Sequence, residues 1–290
     1  MRHDTNDRAT PPSDWRPEPL RGAFPTWGDL LAMLGIFLGA NVLVGGTAGL
    51  VRLALLGAEA PDAAQAGRML FVTYLLSMGL ALGGVLLYRR LRGGRARVAR
   101  LSRRGLDPAL LGWALLLVVA LEVVLDPLTS RLPGPPYEAM GRGAWTFAAL
   151  VVLAPFLEEL LCRGAVLEAL RSRRGDRAAW IGSSLFFGIM HLYPAQALGA
   201  FVIGLVLGYV CLVSGSLWGA VALHAANNAL AYWLMTAGYA ETSCAEAVGH
   251  RALYVVLYAA ALGAAVAAVR GLRRAGRRLR AAADKNREAA

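Results

Sequence analysis

Charge is scarce in this chain. Only 17% of its 290 residues are Asp, Glu, Lys or Arg, while 57% are hydrophobic. A soluble domain carries about 25% charged residues, so an ordinary water-soluble globule is excluded. Lysine is nearly absent, with Lys285 the single example. Cysteine is sparse too: Cys162, Cys211 and Cys244 are an odd, scattered set, with neither a disulfide framework nor zinc-ligand spacing. A cleaved secretory leader is not expected. Residues 1–28 are polar, and the first apolar run is too long for a signal-peptide core.

What is abundant is long apolar sequence. Eight candidate spans follow: 30–50, 69–88, 108–128, 144–170, 178–191, 195–213, 217–235 and 252–269. All but the fifth come close to the roughly 20 helical residues that cross a bilayer core. The fifth is short, which leaves seven spans with a re-entrant fifth as the competing count. The expected fold class is therefore all-α, a polytopic membrane helical bundle. Its expected parts are a polar N-terminus (1–28), a transmembrane domain (29–272) and a basic tail (273–290). Glycines recur four apart at Gly35/Gly39, Gly45/Gly49, Gly79/Gly83 and Gly204/Gly208, a spacing that lets helices approach closely.

The net charge of +11 comes from arginines that crowd between spans. Four basic residues lie in 1–28, eight in 89–107, four in 171–177 and eight in 270–290, which is 24 of the 30 in the chain. With an even number of spans, all four blocks fall on one side. Positive loops stay in the cytoplasm, so the expected orientation is N-in and C-in across the inner (plasma) membrane. This placement accounts for the positive charge through the lipid bilayer and its anionic headgroups, with no nucleic-acid partner required.

Against that background a few polar residues stand out. The fourth span contains Glu158, Glu159 and Arg163, each costly at mid-membrane by about 3 kcal/mol or more. Glu159 and Arg163 are four apart and share a helix face. Glu158 is rotated by about 100° from Glu159 and faces another neighbour. The fifth span ends in Phe187 and His191, and the seventh holds His224 and Asn228, again four apart. At about 1.5 Å per residue, the distances of Glu158, His191, His224 and Asn228 from the arginine-rich end are roughly 20, 21, 12 and 18 Å. Four residues on three helices thus fall in one layer.

Their chemistry is that of an amide hydrolase. A carboxylate in an apolar cavity titrates nearer neutrality, which suits a general base for water. A neutral imidazole shares or relays the proton, and a second imidazole with an amide can donate to an oxyanion. The same Glu and two His could instead hold Zn²⁺, and spacing does not decide between these. Buried acids and histidines also mark proton paths, so a proton-coupled transporter is the competing class at this point. Pro155, one turn ahead of Glu158, is expected to kink the helix. Cys162 has no base aimed at it and reads as a bystander. Glu122 and Asp126, near the outer end of the third span, read as interfacial or packing residues.

Glu158-Glu159-x-x-x-Arg163, Phe187-x-x-x-His191 and His224-x-x-x-Asn228, in this order, resemble the three motifs of the CAAX-protease and bacteriocin-processing family of intramembrane endopeptidases. Gly215-Ser216-Leu217-Trp218 ahead of His224 adds to the likeness, which covers about 145–235. The resemblance implies Glu158 as general base, His191 as its assistant, His224 and Asn228 as the oxyanion site, and Glu159 with Arg163 as support. It implies no cofactor, with zinc disfavoured, and a peptide or membrane-anchored protein as substrate, reached from the cytoplasm. Some relatives are discussed as bacteriocin-immunity proteins, so a non-catalytic immunity or scaffold role is a third reading.

Overall fold

The computed structural model describes residues 24–57, 59–93, 101–102 and 106–288. Most of the N-terminal segment 1–28 and of the basic block 89–107 lie outside them. Among the described residues there are eight long helices and no strand. We label them α1 (Trp27–Leu56), α2 (Ala63–Leu91), α3 (Pro108–Thr129), α4 (144–174), α5 (176–189), α6 (Pro194–Ser214), α7 (Trp218–Thr236) and α8 (Arg251–Glu288). The protein is an all-α, multi-pass membrane bundle. Five helices, α1, α2, α3, α6 and α8, are unbroken and both long and apolar enough to cross a membrane.

The helix starts follow from local chemistry. Thr26 and Asp29 cap α1 reciprocally, and Asp62 with Gln65 does the same for α2. Asp107 accepts from the Leu110 amide with Pro108 at the first helical position of α3. Asp29 also accepts from Tyr88 Oη (2.7 Å) and pairs with Arg92 Nε (2.8 Å), which staples the start of α1 to the end of α2. Gly215 ends α6 in the left-handed region (φ 66°), where a side chain would be strained.

Two boundaries differ from expectation. The expected loop 171–177 is a break at a single residue: Gly175 (φ 78°, ψ 175°) separates α4 from α5, and the helix is otherwise continuous. Only glycine takes that backbone readily, so one residue turns the chain. The basic stretch is helical through 273–288 and continues α8, which reaches Glu288. Leu272 and Ala275 are buried there against a cluster from α3 and α6, while the arginines between them mostly face outward.

The helices pack around two apolar clusters. One joins α1, α2, the second half of α4 and α5. The other joins α3, α6, α7 and α8. The α5–α6 hairpin binds the two together, with Gly188, Gly204 and Gly208 at its contact. Its turn meets the loop after α3 through Ala195 N and Pro133 O (3.2 Å), so α5 reaches the level at which α3 ends. Of the glycine pairs noted above, only Gly204/Gly208 has close neighbours. Gly35, Gly39, Gly45, Gly49, Gly79 and Gly83 have nothing within 4 Å of the Cβ they lack.

A Cβ at Gly188 would stand 2.9 Å from both Ala197 O and Phe201 Cβ. Gly188→Ala is therefore expected to destabilise the bundle by about 1–3 kcal/mol through overpacking. Gly83→Ala, in open space, should be neutral or gain up to about 1 kcal/mol from helix propensity. Thermal midpoints of the two variants in detergent check the contrast.

Candidate active site

The fourth helix is not a regular α-helix. Ala148–Leu153 and Leu160–Leu167 are π-helical, with the α-helical Ala154–Glu159 between them. The first widened stretch has a local cause. Pro155 has no N–H to give and its ring would meet the carbonyl one turn back, so the backbone opens. Ala154 N bonds Ala149 O, five residues back. The kink expected at Pro155 thus takes the form of a wider turn. Such π segments interrupt helices mostly at functional sites, where they re-aim side chains. Here they bracket the two glutamates.

Glu158, Glu159, Arg163 and His224 come together in the interior. Glu159 and Arg163 are fully buried, and Glu158 and His224 nearly so. Arg163 Nη1 donates to Glu159 Oε1 at 2.8 Å, as the i, i+4 spacing predicts. Its Nη2 donates to the Gly204 carbonyl on α6 at 2.8 Å, and its guanidinium lies 4.7 Å from the centre of the Phe187 ring. A Cβ at Gly204 would sit 3.2 Å from Arg163 Nη2 and 3.2 Å from Phe187, so the missing side chain is what admits the guanidinium.

His224 reaches in from α7. Its Nδ1 is 3.1 Å from Glu159 Oε1 and its Nε2 is 3.6 Å from Glu158 Oε2. A carboxylate only accepts, so Nδ1 carries the hydrogen and Nε2 is turned toward Glu158. Phe187 packs edge-on to both imidazoles, with ring centres 5.4 Å from His224 and 5.0 Å from His191. His191 is half-buried, and its Nδ1 lies 2.9 Å from Phe187 O. A carbonyl also only accepts, so His191 Nδ1 bears hydrogen and Nε2 is the free acceptor of the neutral ring. Asn228 donates one amide hydrogen to Leu150 O (2.8 Å), in the first π stretch, and keeps the second.

The two glutamates differ sharply in surroundings. Glu159 Oε1 takes both Arg163 and His224. Among the described residues Glu158 takes a single hydrogen bond, from the Tyr74 hydroxyl of α2 to its Oε1, and the buried Oε2 atoms of both glutamates have no donor. Tyr74 escaped the sequence reading. It sits in an apolar span without motif, and its only sign was a hydroxyl-bearing aromatic at mid-helix. Cys162 is buried with its sulfur 3.5 Å from Met190 sulfur, facing no base. Asp126 accepts from the Cys244 amide (3.0 Å) and ties α3 to the short helix Cys244–Val248, with neither Asp126 nor Glu122 among these groups. Among the described residues no three His, Cys, Asp or Glu side chains converge as metal ligands would. Both imidazole Nδ1 atoms and one Glu158 oxygen are already engaged within the chain.

Removing one partner of a fully buried pair strands the other charge, at a cost of about 3–5 kcal/mol. Arg163→Met should therefore lower stability by about that amount, and Glu159→Gln added to it should restore a measurable part. Unfolding of the two variants in detergent by denaturant or heat checks the sign of the coupling.

Residues 141–230 match the family described as Type II CAAX prenyl endopeptidase Rce1-like. No curated protein and no solved structure matches the chain. The matched stretch runs through α4, α5, α6 and most of α7, the helices that carry every group gathered above except Tyr74. Residues 141–230 thus form a domain similar to the CAAX-protease family of membrane endopeptidases.

Proposed function

We propose that the protein is an intramembrane endopeptidase in which Glu158 activates the water that cleaves a peptide or membrane-anchored protein. The observation that carries this reading is the asymmetry of the glutamate pair. Glu159 Oε1 is held by the guanidinium of Arg163 and by His224, while Glu158 takes only the neutral Tyr74 hydroxyl. Each keeps a buried Oε2 without a donor among the described residues, and that of Glu158 is the one turned toward His224 Nε2, at 3.6 Å. A buried acceptor of that kind needs a partner, and a water nucleophile supplies one.

The reaction then runs on the chain's own groups. Glu158 Oε2 takes a proton from water, with His191 Nε2 as the second acceptor, and the water oxygen bonds to the scissile carbonyl carbon. The carbonyl electron pair moves onto oxygen. The second amide hydrogen of Asn228 and the Nε2–H of His224 receive that charge. Because His224 Nδ1–H is already committed to Glu159, donation from Nε2 requires the imidazolium form. The carboxylates of Glu158 and Glu159 lie on either side of the ring, 3.6 Å from Nε2 and 3.1 Å from Nδ1. Glu158 returns its proton to the leaving amine as the C–N bond breaks, which yields one new carboxyl and one new amino terminus.

Positive charge gathers at the ends of α2 and α4 and along the last turns of α8. We place that end of the bundle in the cytoplasm of a cell whose inner (plasma) membrane holds the protein, with the substrate entering from the same side. No metal takes part in the proposed steps.

Proteomics of peptide ends in membrane fractions should show termini produced by the wild-type protein that vanish with Glu158→Ala. Asn228→Ala should slow their formation by about 10²–10³-fold, the usual cost of an oxyanion donor. Chelators should leave the rate unchanged. Full cleavage by a correctly folded Glu158→Ala protein would overturn the assignment.

A further inference from the structure

Tyr74 lies outside the stretch that matches the family, yet among the described residues it provides the one hydrogen bond that Glu158 receives. Its direction is set by how α2 packs. Gly67, Phe71 and Tyr74 are four and three apart and share one helix face. Gly67 has no room for a Cβ beside Thr146 of α4, and Phe71 meets the Trp145 ring edge-on at 5.2 Å. The face that bears Tyr74 is thus the face α2 turns toward α4. Leu75 and Leu76, rotated away from it, are exposed at the apolar surface. Ser77 Oγ donates to Tyr74 O at 3.3 Å, adding a side-chain bond to the same turn.

A phenol donates one hydrogen, and here the acceptor is Glu158 Oε1. A neutral donor to an ionised carboxylate is a strong, directional contact in an apolar interior. It fixes the carboxylate plane and assigns the two oxygens different tasks. Oε1 is held, and Oε2 is left toward His224 Nε2. Among the described residues no other group gives Glu158 a hydrogen bond. The neighbouring ionisable groups are Glu159, Arg163 and Cys162 on its own helix and His224 on α7.

We propose that Tyr74 is a positioning residue that orients the Glu158 carboxylate, so that α2 is a working part of the catalytic machinery although the family match does not reach it. This rests on Glu158 being the base. Tyr74 touches neither substrate nor water in this scheme. It acts by fixing which oxygen of Glu158 meets the water and at what angle, so its loss should reduce turnover and spare substrate binding.

The test is Tyr74→Phe, which keeps the ring and removes the hydroxyl, in purified full-length protein. The first readout uses an internally quenched peptide ending in a prenylated CAAX sequence. The expected result is a kcat lower by about tenfold with KM within about twofold, at an unchanged thermal midpoint. The second readout needs no turnover: infrared difference spectra of protein labelled with ¹³C at glutamate carboxyls. Wild type minus Tyr74→Phe should show a moved glutamate band, and the same subtraction made in a Glu158→Gln background should not. An unmoved band, a band that moves equally in the Glu158→Gln background, or a kcat unchanged on a peptide that wild type cleaves would overturn the proposal. Cleavage retained by Glu158→Ala would instead overturn the assignment of the base. Loss with Glu158→Ala and full activity with Tyr74→Phe would overturn only the role of Tyr74.

Discussion

Arg163 is the residue on which the interior of this protein turns. A guanidinium with no exposure to solvent must be neutralised and hydrogen-bonded, or the chain will not hold it there. Glu159 neutralises it, the Gly204 carbonyl takes a second donor, and the Phe187 ring covers its face. Those three contacts come from α4, α6 and α5. They fix the hairpin against the fourth helix, and everything else in the site is measured from them. His224 finds its place by bonding the same oxygen of Glu159. Glu158, next in sequence but rotated away, is thereby kept out of the ion pair. The cost of burying one charge is what leaves its neighbouring carboxylate available.

This arrangement explains how two adjacent glutamates come to differ. Identical side chains on consecutive residues must face different surroundings, because a helix turns by about 100° per residue. One direction leads to Arg163, the other to α2 and Tyr74. The π-helical turns on either side adjust that divergence, and the upstream one also presents the Leu150 carbonyl to Asn228. Helix irregularity, charge pairing and the aim of the amide in α7 are therefore parts of one geometry.

A good deal of this was legible in the sequence. Eight long helices, the Glu159–Arg163 pairing and the meeting of Glu158 with His224 follow from spacing and hydropathy, and the bundle shows each of them, with five of the helices long and apolar enough to cross a membrane. The joining of His191 to the group through the Phe187 ring needed the packing. Other features could not be read. The π turns depend on how a chain relaxes around Pro155, which a helical wheel does not encode. Tyr74 is set by the register of α2 on α4, a tertiary property. The continuation of α8 through 273–288 looked like a solvated tail because six arginines mask the buried Leu272 and Ala275. Most of the small-residue spacings pointed to close packing that the described chain does not make, since the same spacing arises wherever glycine is common.

The two apolar clusters place the site at a seam. Glu158, Glu159 and Arg163 belong to the helix that anchors one cluster, and His224 and Asn228 to a helix of the other. Neither half holds a complete set of reacting groups. Ribosomes deliver α4 well before α7, so a partly made chain carries an acid without its imidazole partner. In the proposed mechanism, hydrolytic competence therefore arises only when the two halves dock.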